Sequence, residues 1–252
     1  MRVGLFVPCY VDAFEPEVGI ATLELLERFG CTVEYPFDQT CCGQPMANTG
    51  CHAEAAATEA LFVKNFSGFD YVVAPSGSCG GMIKTHYPEL LAGDPAFAAR
   101  ARKLADKTYE LVEFLHDVLK VESLPWAEFP HKVAYHGNCN ALRGIHHARP
   151  SELVKPYFSK PLDLLRLVNG VELVDLARPD ECCGFGGTFS VFEPAVSAKM
   201  GYDKVADQNR AGAQYVVSAD SSCLMHQKGC AERLGLPLKY IHIAQVLNGA
   251  AA

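Results

Sequence analysis

Short apolar runs alternate along this chain with longer stretches in which apolar residues recur every three or four positions. Val3 to Val7 is such a run and predicts a strand buried on both faces. Val18 to Phe29, with Ile20, Leu23, Leu26 and Phe29 near helical spacing, predicts a helix that Gly30 ends. Thr32 to Tyr35 predicts the next strand, alanine-rich Ala53 to Phe66 a helix, and Tyr71 to Ala74 a third strand. The rhythm then returns. Lys132 to His136, Val171 to Leu176 and Tyr215 to Ser218 predict strands, with helices at Pro194 to Gln208 and Leu224 to Leu234. Lys239 to Ile243 predicts one more strand feeding a last short helix. Between the halves, Pro125, Trp126 and Pro130 interrupt any period over Glu122 to Pro130. The expected fold class is α/β: two pseudo-repeated βαβαβ domains with parallel sheets, at residues 1–122 and 131–252.

The repetition extends to single residues. Tyr71 to Cys79 ("YVVAPSGSC") overlays Tyr215 to Cys223 ("YVVSADSSC") without a gap, and Cys41-Cys42-Gly43 matches Cys182-Cys183-Gly184. With Cys9 and Cys139, the order Cys…Cys-Cys-Gly…Cys occurs twice. Each of these cysteines follows the carboxyl end of a predicted strand. In a parallel sheet those ends share one edge, where ligands of open α/β sheets bind. Cys9, Cys41, Cys42 and Cys79 are therefore expected to converge, as are Cys139, Cys182, Cys183 and Cys223. Helix N-termini at the same edge favour an anionic thiolate centre. On a tight turn two adjacent cysteines face one point, and Gly43 or Gly184 relieves the crowding by permitting positive φ. Gly186 and Gly187 would let backbone amides approach inorganic sulfide. The span from Cys139 to Cys182 exceeds that from Cys9 to Cys41, which predicts a surface excursion around Ile145 to Lys160.

Composition narrows the chemistry. A net charge of −7 argues against a nucleic-acid partner. No apolar run reaches the roughly 18 residues of a membrane span, and Pro8, Cys9 and Asp12 cut short any signal-like segment. A cytoplasmic location is the expectation. Eleven cysteines, an odd number, cannot all pair within one chain, and a reducing compartment disfavours disulfides. Four thiolates per half suit an iron–sulfur cluster. Structural zinc and a thiol–disulfide relay through the vicinal pairs are the competing readings. Cys31 and Cys230 read as inert buried thiols and Cys51 as a bystander. His136 and His226 flank Cys139 and Cys223, either as hydrogen-bonded structural residues or as replacement ligands. His52, beside Cys51, is open in the same way. His146-His147 reads as surface loop, and Lys199, Asp203 and Lys204 as a solvated helix face. "GFGG" at Gly184 to Gly187 lacks the G-x-G-x-x-G pattern, which argues against a dinucleotide site.

The doubled motif resembles the cysteine-rich CCG domain family, which includes a heterodisulfide reductase subunit and the iron–sulfur subunit of glycolate oxidase. "ECCGFGGTFSV" from Glu181 to Val191 and "PSGSC" from Pro75 to Cys79 look most like the lactate-utilisation branch, and the resemblance covers essentially the whole chain. It implies a cytoplasmic electron-transfer subunit with two iron–sulfur clusters, [4Fe–4S] in type. Such a subunit acts with a ferredoxin-like iron–sulfur protein and a third lactate-utilisation subunit in oxidising L-lactate to pyruvate. The heterodisulfide reductase relatives imply an alternative, a catalytic thiol–disulfide reductase; a zinc-stabilised scaffold is a third reading. The family's last element is often Cys-x-x-Cys, and Ser76 and Asp220 replace its first cysteine here. Four-cysteine cubanes and an oxygen ligand from Ser76 or Asp220 are both open.

Overall fold

The computed structural model describes residues 1–90 and 95–249, so the last three positions of the expected second domain lie outside the described residues. Eight strands are described: β1 (Arg2–Leu5), β2 (Thr32–Glu34), β3 (Tyr71–Ala74), β4 (Thr108–Glu110), β5 (Lys132–His136), β6 (Glu172–Leu173), β7 (Tyr215–Ser218) and β8 (Lys239–His242). They form two parallel four-stranded sheets, ordered β2-β1-β3-β4 and β6-β5-β7-β8. The chain falls into two compact units, Met1–Leu119 and Lys120–Ala252, one sheet to each. The α/β class and the doubling read from the sequence are both present.

Both sheets reverse direction of growth at the same place. From β1 the chain adds β2 on one side and then β3 on the other, and β5 is flanked by β6 and β7 in the same way. That reversal opens a crevice outside the strands' carboxyl ends. The central strands are apolar on both faces because helices cover both. Val72, Val73 and Ala74 in one sheet and Val216 and Val217 in the other are fully buried.

The differences from the sequence expectation have local causes. β1 stops at Leu5 because the Gln39 side chain takes over its end: Oε1 accepts from Val7 N at 2.8 Å and Nε2 donates to Leu5 O at 3.2 Å. β6 keeps only two residues of the expected Val171 to Leu176. It pairs on one side only, and the chain turns away after Val174 N donates to Val133 O at 2.9 Å. β4 carries no apolar run, so periodicity does not mark it; pairing with β3 makes it a strand. Helix Pro16–Arg28 buries Val18, Ala21, Thr22, Leu25 and Leu26, whereas Ile20 points to solvent. The segment Glu122 to Pro130 packs within the second unit, with Phe129 N donating to Asn169 O at 2.8 Å and Trp126 Nε1 to Leu247 O at 3.1 Å. The excursion after Cys139 is exposed at 151–158 but pinned at its ends, where Ala148 and Ser159 form an antiparallel bridge. His147, expected in a surface loop, is buried at one of those ends.

Aromatic packing holds helix His52–Phe66 onto the first sheet. Phe6 meets Phe62 edge-on at 5.0 Å, and Phe62 stacks on Phe66 at 4.6 Å. Phe66 is fully buried. Phe66→Ala is expected to cost about 3–5 kcal/mol, read as a lowered urea midpoint for the first unit.

Candidate metal centres

All eight cysteines of the repeated motif lie at the carboxyl edges of the sheets. Cys9 opens the helix Cys9–Phe14 directly beyond β1, and Cys79 sits in the first turn of helix Gly77–Gly81 beyond β3. The two thus flank the point where the sheet reverses, and the loop after β2 brings Cys41 and Cys42 to it. Cys9 Sγ is 3.7 Å from Cys41 Sγ. Cys42 hydrogen-bonds through sulfur with both Cys41 and Cys79, closing the first quartet. In the second unit Cys139 precedes a wide π-type turn, Asn140–Gly144, and Cys223 lies in the first turn of helix Ser221–Arg233. Cys182 bonds with Cys139 and Cys183, and Cys183 with Cys223. The structure therefore brings together both predicted sets of four.

Glycine supplies the turn in each vicinal pair. Gly43 and Gly184 have φ of +85° and +91°, the left-handed region that side chains avoid. A Cβ on Gly184 would stand 2.6 Å from Ser197 O, whereas one on Gly43 would meet Ala55 O at 3.5 Å. The Gly184 amide donates to Cys182 Sγ at 3.4 Å, and the Gly43 amide donates likewise to Cys41. Gly186 and Gly187 also take positive φ, and Phe189 packs against Gly186. In the second quartet the amides that reach sulfur are those of Gly184, Phe185 and Asn140.

Hydrogen bonding sorts the thiols. Bonds from Cys42 and Cys9, helped by the Gly43 amide, hold Cys41 down to about 3. Bonds from Cys139 and Cys183, helped by the Gly184 amide, hold Cys182 down to about 2. Cys9 and Cys139 move up, chiefly through the bond each makes to its lowered neighbour. Each quartet thus presents one ready thiolate, the form that binds metal.

The neighbours differ between the halves. Ser76 caps its helix, its Oγ accepting from Cys79 N at 3.3 Å. Asp220 stands in the equivalent place, with Oδ2 accepting from Asn138 Nδ2 at 2.8 Å and Oδ1 from Ser222 Oγ at 2.5 Å. Both Asp220 oxygens are engaged within the protein, and the Asn138 bond ties the end of β5 to the end of β7. His136 is buried, and its ring nitrogen lies within 4.8 Å of the Cys183 and Cys223 sulfurs. His226 faces Ser197 O at 3.3 Å. Cys31 and Cys230 are buried and Cys51 is exposed.

Three residues of these surroundings were not legible in sequence. Lys204, expected on a solvated face, is fully buried and donates to Arg178 O and Pro179 O at 2.9 and 3.1 Å, bracing the loop into Cys182. Its neighbours Lys199 and Asp203 form the expected exposed pair. Tyr87 donates to Cys42 O at 2.8 Å. Glu59 lies beside Gly43, fully buried, with neither oxygen hydrogen-bonded among the described residues, and burial pushes it up to about 7. Glu59 and Lys204 sit on helices that also carry exposed charged residues, such as Glu54 and Lys199, and no local pattern separates them.

The donor set fits a thiophilic metal or an iron–sulfur cluster: four sulfurs at one edge, a ready thiolate, and amides aimed at sulfur. The 3.7 Å between Cys9 and Cys41 matches the edge, about 3.8 Å, of a tetrahedron around one ion bound at ~2.3 Å. Thiolates that bind separate irons of a cluster stand further apart.

Fold and site define a doubled cysteine-rich domain, each copy gathering four cysteines at the edge of a parallel sheet. The model of the CCG cysteine-rich domain matches residues 3–84 and 133–228, and the chain belongs to that family. It is similar to lactate utilization protein A of Geobacillus kaustophilus, 46% identical over 98% of this chain and 99% of the relative. Lactate utilization protein A of Shouchella clausii is also 46% identical, over 98% of this chain and 99% of its own. Among solved structures, a hypothetical protein from Helicobacter pylori shares the fold with a TM-score of 0.60 at 11% identity. The match covers 98% of this chain, which spans about half, 48%, of that protein.

Two outcomes follow from this geometry. Gly184→Ala is expected to cost roughly 2–4 kcal/mol and Gly43→Ala roughly 1–2 kcal/mol, read as an ordering of thermal midpoints. In reduced, metal-free protein, Cys41 and Cys182 are expected to alkylate first and to stay reactive in mildly acid buffer. Their lowered pKa values, about 3 and about 2, keep them thiolates there, and peptide mass spectrometry reads the order.

Proposed function

We propose that each quartet holds an iron–sulfur cluster of the [4Fe–4S] type and that the chain is an electron-transfer subunit of an L-lactate-oxidising complex. One observation carries the first part: four sulfurs meet at the reversal point of each sheet, with backbone amides directed at them. The second part rests on the lactate utilization proteins that match nearly the whole chain. Bound clusters would supply one-electron transfer. Cys9, Cys41, Cys42 and Cys79 would hold one, and Cys139, Cys182, Cys183 and Cys223 the other. The amides of Gly43 and Gly184 would offset thiolate charge, and Gly186 and Gly187 would shape the turn beside the second centre. Oxidation of lactate to pyruvate releases two electrons and two protons, and two one-electron centres on one chain match that electron count. The electrons would come through a ferredoxin-like iron–sulfur partner, with a third lactate-utilisation subunit, in the cytoplasm. No helix among the described residues is long and apolar enough to cross a membrane.

A second reading, a catalytic thiol–disulfide reductase, is favoured by one feature. A cavity of about 530 Å³ is lined by Gly137 and Leu142 on either side of Cys139 and by Pro179 and Asp180 ahead of Cys182. Its walls, Leu162, Leu173 and Val174 among them, are mostly apolar. If reductant-loaded isolated protein reduces a low-molecular-weight disulfide, this reading replaces the first; if it reduces none, the carrier role stands.

Iron and acid-labile sulfide analysis of anaerobically reconstituted protein tests the clusters. Several irons per chain are expected; less than one, with zinc in its place, overturns the reading in favour of a zinc scaffold. Cys41→Ser is expected to remove about half the iron and leave the second centre's electron paramagnetic resonance signal. Loss of all iron would show that the two centres depend on each other.

A further inference from the structure

At His136 the repeat exchanges an apolar residue for a metal-ligating one at the sheet edge. Val3 pairs with Tyr71 in the first sheet and Val133 with Tyr215 in the second, so the register equates Val3 with Val133. Three residues on, Phe6 equates with His136. Phe6 is fully buried against Phe62 and Phe66, as an apolar position should be. His136 is equally buried, 1% exposed, yet neither ring nitrogen has a hydrogen-bond partner among the described residues. Buried histidine nitrogens are in the large majority hydrogen-bonded. A ring nitrogen instead lies within 4.8 Å of the sulfurs of both Cys183 and Cys223, and the three donor atoms form a group compact enough for one metal. The backbone holds the ring there: the Ser218 hydroxyl donates to His136 O at 2.8 Å, and Asn138 locks the next turn to Asp220.

We propose that His136 is a nitrogen ligand of the second metal centre, which thus has five donors, Cys139, Cys182, Cys183, Cys223 and His136, where the first has four thiolates. The inference rests on the metal-centre reading above and makes the two centres chemically unequal. A fifth, neutral donor gives the second centre an electronic environment that the first lacks. The rival arrangement is a ring N–H donated to a thiolate sulfur.

Pulsed electron paramagnetic resonance on full-length, iron-reconstituted and reduced protein separates the two. Protein grown with ¹⁵N-histidine is compared with unlabelled protein, Cys41→Ser isolates the second centre, and His136→Phe places in the second half the residue found at Phe6. The expected result is a strong nitrogen coupling that changes with the histidine label, survives Cys41→Ser and His226→Asn, and vanishes in His136→Phe. The second centre's midpoint potential is expected to shift in His136→Phe while the first stays put. A coupling that is absent, only of the weak magnitude of an N–H···S contact, or retained in His136→Phe overturns the proposal. If His136→Phe does not fold, the labelled wild type and His226→Asn decide alone: loss of the coupling in His226→Asn overturns it. Iron analysis of the same samples keeps the two readings apart. Should zinc replace iron, cobalt(II) substitution takes over, and a visible spectrum unchanged by His136→Phe counts against a nitrogen ligand.

Discussion

Parallel strand pairing is the constraint on which this protein is organised. It sends every strand's carboxyl end to the same edge, and the reversal of strand order around β1 and β5 opens that edge into a crevice. A residue placed just after a strand is delivered there whatever its distance along the chain. Cys9, Cys41, Cys42 and Cys79 meet in this way, and their counterparts do the same. Half of these cysteines, Cys9, Cys79, Cys139 and Cys223, also stand at the start or in the first turn of a helix. The sheet gathers the sulfurs, and neighbouring thiols with the Gly43 and Gly184 amides stabilise the ionised form of Cys41 and Cys182.

The vicinal pairs add the detail that a sheet cannot. A loop leaving an edge strand has to turn both adjacent thiols to one point, and it does so through a left-handed glycine. The same turn frees an amide for the sulfur of the first cysteine, which becomes the ready thiolate of each set. The second unit builds the turn more tightly: Gly184 backs onto Ser197 O and Met200, and Lys204 braces the approach through two carbonyls.

The two copies share a scaffold and differ in their buried polar groups. Ser76 in one answers to Asp220 in the other, and Phe6 to His136. Glu59 lies beside the first turn with no hydrogen-bond partner among the described residues, and Lys204 is committed to carbonyls beside the second. The inequality between the two halves lies in buried residues rather than in the cysteines.

The amino-acid sequence by itself determined the class of fold, the doubling and the eight sulfurs. Each of these rests on a local regularity: apolar runs such as Tyr71 to Ala74, a gapless repeat, and cysteines set just past strand ends. The length of β1, the existence of β4, and the burial of His147, Lys204 and Glu59 were decided only in three dimensions. β4 is a strand because β3 pairs with it, and β1 ends where a side chain from a distant loop takes its hydrogen bonds. Lys204 and Glu59 look like any charged residue on an amphipathic helix; which of them is buried depends on the carbonyls and turns that other segments bring. His136 ends a strand pattern that reads the same with or without a partner, and only the gathered Cys183 and Cys223 show what faces it.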